Sequence, residues 1–268
     1  MSHQLRLLCV ATQFLTRLPT PRLREFDPGW LAQSTRYFPL VGVLVGLANV
    51  LVWWIASRRL PASVSIGLMM AVSMLLTGAF HEDGFADACD GFGGGSSKDR
   101  VLAIMKDSRI GAFGAIGLLL MLGLKWTTLV ALPSAQFAPC VVAAHMLSRW
   151  CAIGLIAVLP YVRGSEDAKA RDFAGRLSGG EWVLSGAIGF LGLAPLAWLY
   201  ARSDAPLGWS ALGTGAGVAV AAAVLGGLYV RHRIGGYTGD CLGAVQQLAE
   251  LGFLLGGLGA IHSARGLA

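Results

Sequence analysis

The densest chemistry in the chain is the run His81-Glu82-Asp83-Gly84-Phe85-Ala86-Asp87-Ala88-Cys89-Asp90-Gly91. At about 100° per residue, a helix through it turns Asp83, Asp87 and Asp90 onto one face. Glu82 stands about one position off that face, and His81 is nearly opposite. Carboxylates so close repel unless a cation or bases neutralise them. Their hard oxygens suit Mg²⁺, which takes a few carboxylates and completes its shell with phosphate oxygens and water. The alternative is a solvated acidic helix end. Four acids within nine residues beside an apolar run are costly, and acids inside membrane segments usually serve function.

Further candidates surround this block. Gly91, Gly93, Gly94 and Gly95 follow it and read as a helix stop. A phosphate-cradling loop is the other reading, although no Walker pattern is present. Lys106-Asp107-Ser108-Arg109 precedes an apolar run and resembles an anion site at a helix N-terminus, or else a basic anchor. Arg149 falls near the middle of an apolar run, where insertion costs about 2.5–3.5 kcal/mol. It is expected to face a polar cavity or a carboxylate, Glu250 or the acidic block. Lys125 is expected to snorkel outward without a role, and His145 to be a packed polar residue. Tyr161-Val162-Arg163 follows Pro160. Gly235-Gly236-Tyr237-Thr238-Gly239-Asp240 is either a glycine-rich turn with a capping Asp or a source of N–H groups and a carboxylate for a phosphate–metal site.

The elements that must position these residues are membrane helices. Of 268 residues, 55% are hydrophobic and 13% charged, with a mean hydropathy of +0.63. Soluble domains carry about 25% charged residues, so soluble and disordered classes are excluded. Seven segments approach the roughly 20 apolar residues of a span. They are Tyr37–Ser57, Ala62–Phe80, Ile110–Leu132, Ala138–Pro160, Trp182–Tyr200, Gly208–Val230 and Leu242–His262, the last interrupted by Gln246, Gln247 and Glu250. The N-terminal side, side A, then holds 15 Lys and Arg residues and side B holds 4. That asymmetry places side A in the cytoplasm. Residues 3–18 read as an interfacial helix, with Arg6, Gln13 and Arg17 on one face and Leu8, Ala11, Leu15 and Leu18 opposite. Pro19 and Pro21 end it.

The expected fold class is therefore all-α: a polytopic membrane bundle of about seven helices plus an N-terminal interfacial helix, residues 1–268 forming one integral membrane domain. The 37 glycines suit closely packed membrane helices. The net charge of +6 sits in short loops between apolar runs, so the bilayer explains it and no nucleic-acid partner is expected. The five cysteines form no CxxC and read as small apolar fillers. Leu7–Ala11 is too short and interrupted for a signal peptide.

Taken together, these motifs resemble the cobalamin synthase family, adenosylcobinamide-GDP ribazoletransferases. The likeness runs through Phe14-Leu15-Thr16-Arg17-Leu18-Pro19, Tyr37-Phe38-Pro39-Leu40-Val41-Gly42, the His81–Gly91 block and Met105-Lys106-Asp107-Ser108-Arg109-Ile110-Gly111. It continues through Ser148-Arg149-Trp150, Pro160-Tyr161-Val162-Arg163 and Gly236-Tyr237-Thr238-Gly239-Asp240. Phe85 stands where the family would have an aliphatic residue. The resemblance implies that adenosylcobinamide-GDP is joined to α-ribazole or its 5′-phosphate, giving adenosylcobalamin or its 5′-phosphate and GMP. It implies Mg²⁺ as cofactor and a bacterial inner-membrane enzyme, multi-pass, with a cytoplasmic active site in contact with membrane lipid. It leaves room for homo-oligomers and for association with other cobalamin-assembly enzymes. On this reading Glu82, Asp83, Asp87 and Asp90 hold the metal. Arg17, Lys106, Arg109 and Arg163 neutralise phosphate, with Asp107, Ser108, Arg149 and Glu250 also on the substrate side. Asp90, His81 or Asp240 takes the hydroxyl proton.

Two rivals fit less of the chain. A transporter would suit Arg149 and Glu250, but side B has few polar groups and no inverted repeat is visible. A phosphotransferase acting on a CDP-alcohol would carry Asp-x-x-Asp-Gly-x-x-Ala-Arg, which does not occur.

Overall fold

Apolar runs in this chain become helices because lipid offers their backbone groups no partners, so each must bond within its own segment. The computed structural model describes residues 2–22, 27, 29–163, 177–202 and 208–266. Helix α1 spans His3–Leu15 and α2 Gly29–Ser34, and a 3₁₀ turn leads into α3, Phe38–Ala56. Then come α4 (Ala62–Thr77), α5 (Phe80–Gly94), α6 (Lys98–Met105), α7 (Ala112–Ala131) and α8 (Ser134–Val158). Helices α9 (Gly179–Ala201), α10 (Trp209–Ile234) and α11 (Gly239–Gly266) complete the described residues. No strand occurs among them, only an isolated bridge between Tyr161 and Tyr237. Six helices (α3, α7, α8, α9, α10, α11) are long and apolar enough to span a membrane.

The seventh expected span is bent. Helix α4 meets α5 at 89°. Gly78 and Ala79 cause the break, with φ of 67° and 54°, both left-handed. Glycine accepts that conformation readily, and an alanine there is uncommon. The second span therefore ends at Thr77 rather than Phe80, and the acidic block forms a separate helix.

Helices α8 and α11 are the most deeply buried spans. Small residues allow the close crossings around them. A Cβ on Gly46 of α3 would stand 2.8 Å from Val142 Cα of α8. Helix α1 is shorter than expected. Thr16 is extended (φ −143°) and its Oγ1 donates to Thr12 O at 2.7 Å, so the helix stops before Arg17 and Leu18. Its Leu7, Val10, Ala11 and Leu15 are buried, and Leu18 is exposed. Its apolar face thus packs on the protein. The five cysteines are free, and all but Cys89 are buried. Arg24, Lys169, Arg171, Arg176 and Asp204, counted in the charge asymmetry or its side-B remainder, lie outside the described residues.

Candidate functional site

Helix α5 is pinned at four places, all at side-A ends of other helices. Its start is the elbow at Gly78 and Ala79. Its Gly84 lies on the first turns of α11, where a Cβ would stand 3.1 Å from Asp240 Cα and 3.4 Å from Gly243 Cα. Asp90 accepts hydrogen bonds from Gly111 N (2.7 Å) and Gly114 N (2.8 Å) at the start of α7. At its C-terminus, Arg233 of α10 donates to Phe92 O (3.2 Å) and Gly95 O (2.6 Å), filling carbonyls the helix leaves open. The glycine run is thus a helix stop. Helix α5 lies across the ends of α7, α10 and α11, at 89° to α4.

This crossing brings Asp83 and Asp87 of α5 beside Asp240 of α11. Partial burial pushes the Asp87 carboxyl up to about 7, and the neighbouring Asp240 and Asp83 charges add to the effect, with Arg163 opposing. Arg163 Nη2 donates to Asp240 Oδ2 at 2.6 Å and to Met105 O at 3.1 Å. Its segment is fixed by backbone bonds from Val162 N to Tyr237 O (3.1 Å) and from Tyr237 N to Pro160 O (2.9 Å). The two short motifs that sequence left open, Tyr161–Arg163 and Gly236–Asp240, therefore meet, and they meet at the aspartates. Of the readings open for Asp240, a capping residue, a base or a carboxylate of a phosphate–metal site, this position fits the last two. Its place here depended on a contact between segments 77 residues apart in the chain.

Other expected members lie elsewhere. Both Asp90 oxygens are occupied at the α7 N-terminus, so an internal carboxylate already fills the anion position that Lys106–Gly114 suggested. Asp90, expected among the metal ligands and the candidate bases, thus has each oxygen engaged by a backbone N–H. Asp107 and Arg109 pair with each other on the loop before α7, Nη2 to Oδ2 at 2.6 Å. The Arg109 side-chain bond, then its backbone N–H, hold the Asp107 carboxyl down to about 2. Lys106 and Ser108 are exposed on the same loop. Arg17 packs its guanidinium over Gly78 at the outer side of the elbow.

Glu82, one position from Asp83, faces into the bundle. Its Oε1 accepts from Gln247 Nε2 at 3.1 Å, and its buried Oε2 has no partner. It belongs to a buried polar network around Glu250. Lys125 Nζ reaches Glu250 Oε1 at 2.8 Å and Gln247 Oε1 at 2.6 Å. Glu250 Oε2 accepts from Gln246 Nε2 at 2.6 Å and lies 3.1 Å from His145 Nδ1. Asn49 Nδ2 stands 2.8 Å from His145 Nε2, and Arg149 Nη1 stands 3.3 Å from His145 Nδ1. Arg149 Nη1 donates to His145 O at 2.9 Å. His81, Glu82, Arg149 and Glu250 line a cavity of about 30 Å³, room for about two waters. Four unpartnered atoms belong to its walls: Asn49 Oδ1, Glu82 Oε2, Arg149 Nε and Gln246 Oε1.

Lys125 is thus buried and paired, correcting the expectation that it snorkels outward. Arg149 does face a polar cavity, as its depth required, but its contacts and those of Glu250 are internal. Sequence carried a signal for this network, since each member interrupts an apolar run near its middle. It could not show that the interruptions face one another.

Among the described residues, no three His, Cys, Asp or Glu side chains stand ready-made as a metal cage. The set Asp83, Asp87 and Asp240 fits a different arrangement. Asp87 is raised by partial burial and then by the Asp240 and Asp83 charges beside it, and Mg²⁺ with phosphate ligands takes only a few carboxylates.

The family described as Cobalamin-5-phosphate synthase matches residues 7–258. A relative from Leptothrix cholodnii, named adenosylcobinamide-GDP ribazoletransferase, is 44% identical over 263 residues, 97% of either chain. One of the same name from Shewanella frigidimarina is 43% identical over 254 residues, 93% of this chain and 92% of its own. Another from Shewanella sp. strain ANA-3 is 42% identical over 253 residues, 92% of each. No solved structure matches.

Proposed function

The chain belongs to the cobalamin-5-phosphate synthase family, and on that premise we propose how it works as an adenosylcobinamide-GDP ribazoletransferase of cobalamin biosynthesis. The observation that carries the site assignment is the meeting of Asp83, Asp87 and Asp240, with Arg163 bonded to Asp240 at 2.6 Å. The substrate brings a diphosphate, and this cluster offers both what a phosphate-bound cation needs and a guanidinium for the phosphate itself.

In the reaction, the α-ribazole hydroxyl attacks the phosphorus that carries the cobinamide arm. An O–P bond forms, the bond to the GMP oxygen breaks, and the hydroxyl proton leaves to a carboxylate. Such displacement is largely positioning and charge stabilisation. Asp83 and Asp87 would hold Mg²⁺, which supplies charge neutralisation to the diphosphate. Arg163 neutralises phosphate charge. Asp240 is oriented by Arg163 through Oδ2, which leaves its Oδ1 to accept the proton. Side A, with its excess of bases, faces the cytoplasm, and the enzyme resides in the bacterial inner membrane.

Purified protein should release GMP only when adenosylcobinamide-GDP, α-ribazole and Mg²⁺ are all present. GMP release without α-ribazole would make it a hydrolase. No release, together with ion flux in liposomes, would make it a transporter.

A further inference from the structure

Helices α4 and α7 leave an open groove of about 860 Å³ on the outer surface of the bundle. Its floor is unfilled: a Cβ on Gly67 or Gly123 would meet nothing within 4 Å. Its walls are apolar, with Leu75 and Leu119 each about three-quarters exposed. Arg17 closes the side-A end. Among the described residues its guanidinium has no carboxylate or carbonyl partner, and it is exposed. Trp126 closes the far end, its Nε1 donating to Ser63 O at 2.9 Å.

Length and charge identify an occupant. Gly67 to Gly78 is eleven residues of helix, about 16 Å at 1.5 Å per residue. The hydrocarbon core is about 30 Å thick, so the groove is one leaflet long. A guanidinium with no partner among the described residues, at the end of an apolar channel, matches a phosphate joined to an acyl chain.

We infer that this groove binds one anionic phospholipid of the side-A leaflet, its phosphate on Arg17 and an acyl chain along the Gly67–Gly78 face of α4. The lipid would brace the elbow that launches α5. Arg17 N donates to Leu76 O at 2.7 Å, and the Arg17 guanidinium packs over Gly78, immediately before the left-handed Ala79. Holding Arg17 therefore holds the break that points the acidic helix across the bundle. The inference stands on the groove and does not depend on the reaction assigned to the aspartates.

Native mass spectrometry of the delipidated full chain, titrated with phosphatidylglycerol or phosphatidylcholine, tests it. One phosphatidylglycerol should bind at least about tenfold more tightly than phosphatidylcholine, and millimolar inorganic phosphate should not displace it. Arg17→Gln should remove the preference. Gly123→Phe, which fills the floor and leaves Arg17 intact, should weaken both lipids. Equal binding of the two lipids by the unaltered chain, or unchanged phosphatidylglycerol binding in both variants, would overturn the inference. Displacement by inorganic phosphate would reduce the site to a bare anion contact and overturn it too.

Discussion

Asp90 lies on the same helical face as Asp83 and Asp87, yet its surroundings assign it different work. Its carboxylate accepts Gly111 N and Gly114 N at 2.7 and 2.8 Å and is 8% exposed. Hydrogen bonds to charged groups contribute about 1.5–3 kcal/mol each. Asp90→Asn keeps one acceptor and turns an amide N–H toward the other donor, so it should cost about 2 kcal/mol. Asp90→Ala leaves both N–H groups without a partner and should cost about twice that. At roughly 2–4 °C per kcal/mol for a chain of this size, Asn should lower the melting temperature by about 4–8 °C. Ala should lower it by about twice as much. Thermal unfolding in detergent, followed by tryptophan fluorescence, reads the stability. The Mg²⁺ half-saturation of GMP release reads the site, and in Asp90→Asn it should stay within a few-fold of the unaltered enzyme. Unchanged melting with a large loss of Mg²⁺ affinity would refute the capping role and return Asp90 to the metal set.

Three further outcomes follow from the same geometry. Asp83→Asn, at an exposed position, should abolish GMP release while the protein inserts and melts normally; near-normal turnover at saturating Mg²⁺ would remove its metal role. Lys125→Met leaves Glu250 buried without its ion partner and should destabilise by about 3–5 kcal/mol, whereas Lys125→Met with Glu250→Gln should recover much of that. Equal melting of single and double variants would contradict the pairing. Asp87, at about 7, should make Mg²⁺ half-saturation weaken as pH falls from 8 to 6, because proton and metal compete for one carboxylate. Its folded pKa lies above the ordinary carboxylate value, so metal-free stability should fall as pH rises from about 4 to 7; Asp87→Asn should flatten both trends.

Apolar run lengths were sufficient for the helical bundle and its six spans, with the bent α4–α5 pair at the place of a seventh, because lipid imposes one backbone solution on every long apolar segment. The acidic block was also legible, since helical spacing alone groups Asp83 with Asp87. Three things were not. The bend at Gly78 depends on Ala79 also adopting a left-handed conformation, which no spacing rule anticipates. The partition of the block between Asp83/Asp87, Asp90 and Glu82 depends on what packs on each side of α5: Asp240, the start of α7, and Gln247. Lys125 looked like an end-of-span residue because its depth was judged along its own helix, while its partners Gln247 and Glu250 sit on another.

The two polar tiers differ in a way that explains their separate roles. In the inner tier, the cations Lys125 and Arg149 stand among the acids Glu82 and Glu250, and the side-chain oxygens of Glu250 and Gln247 are bonded within the protein. A tier enclosed by apolar helices has to balance, because an uncompensated charge there costs several kcal/mol. In the outer tier, Asp83, Asp87 and Asp240 face one opposing base, Arg163, and partial burial together with the neighbouring carboxylates raises Asp87 to about 7. Such an imbalance is tolerable only where solvent or a ligand can supply the missing positive charge. Charge balance thus separates the tier that holds helices together from the tier left open to a substrate, although α5 contributes a carboxylate to each from adjacent positions, Glu82 and Asp83.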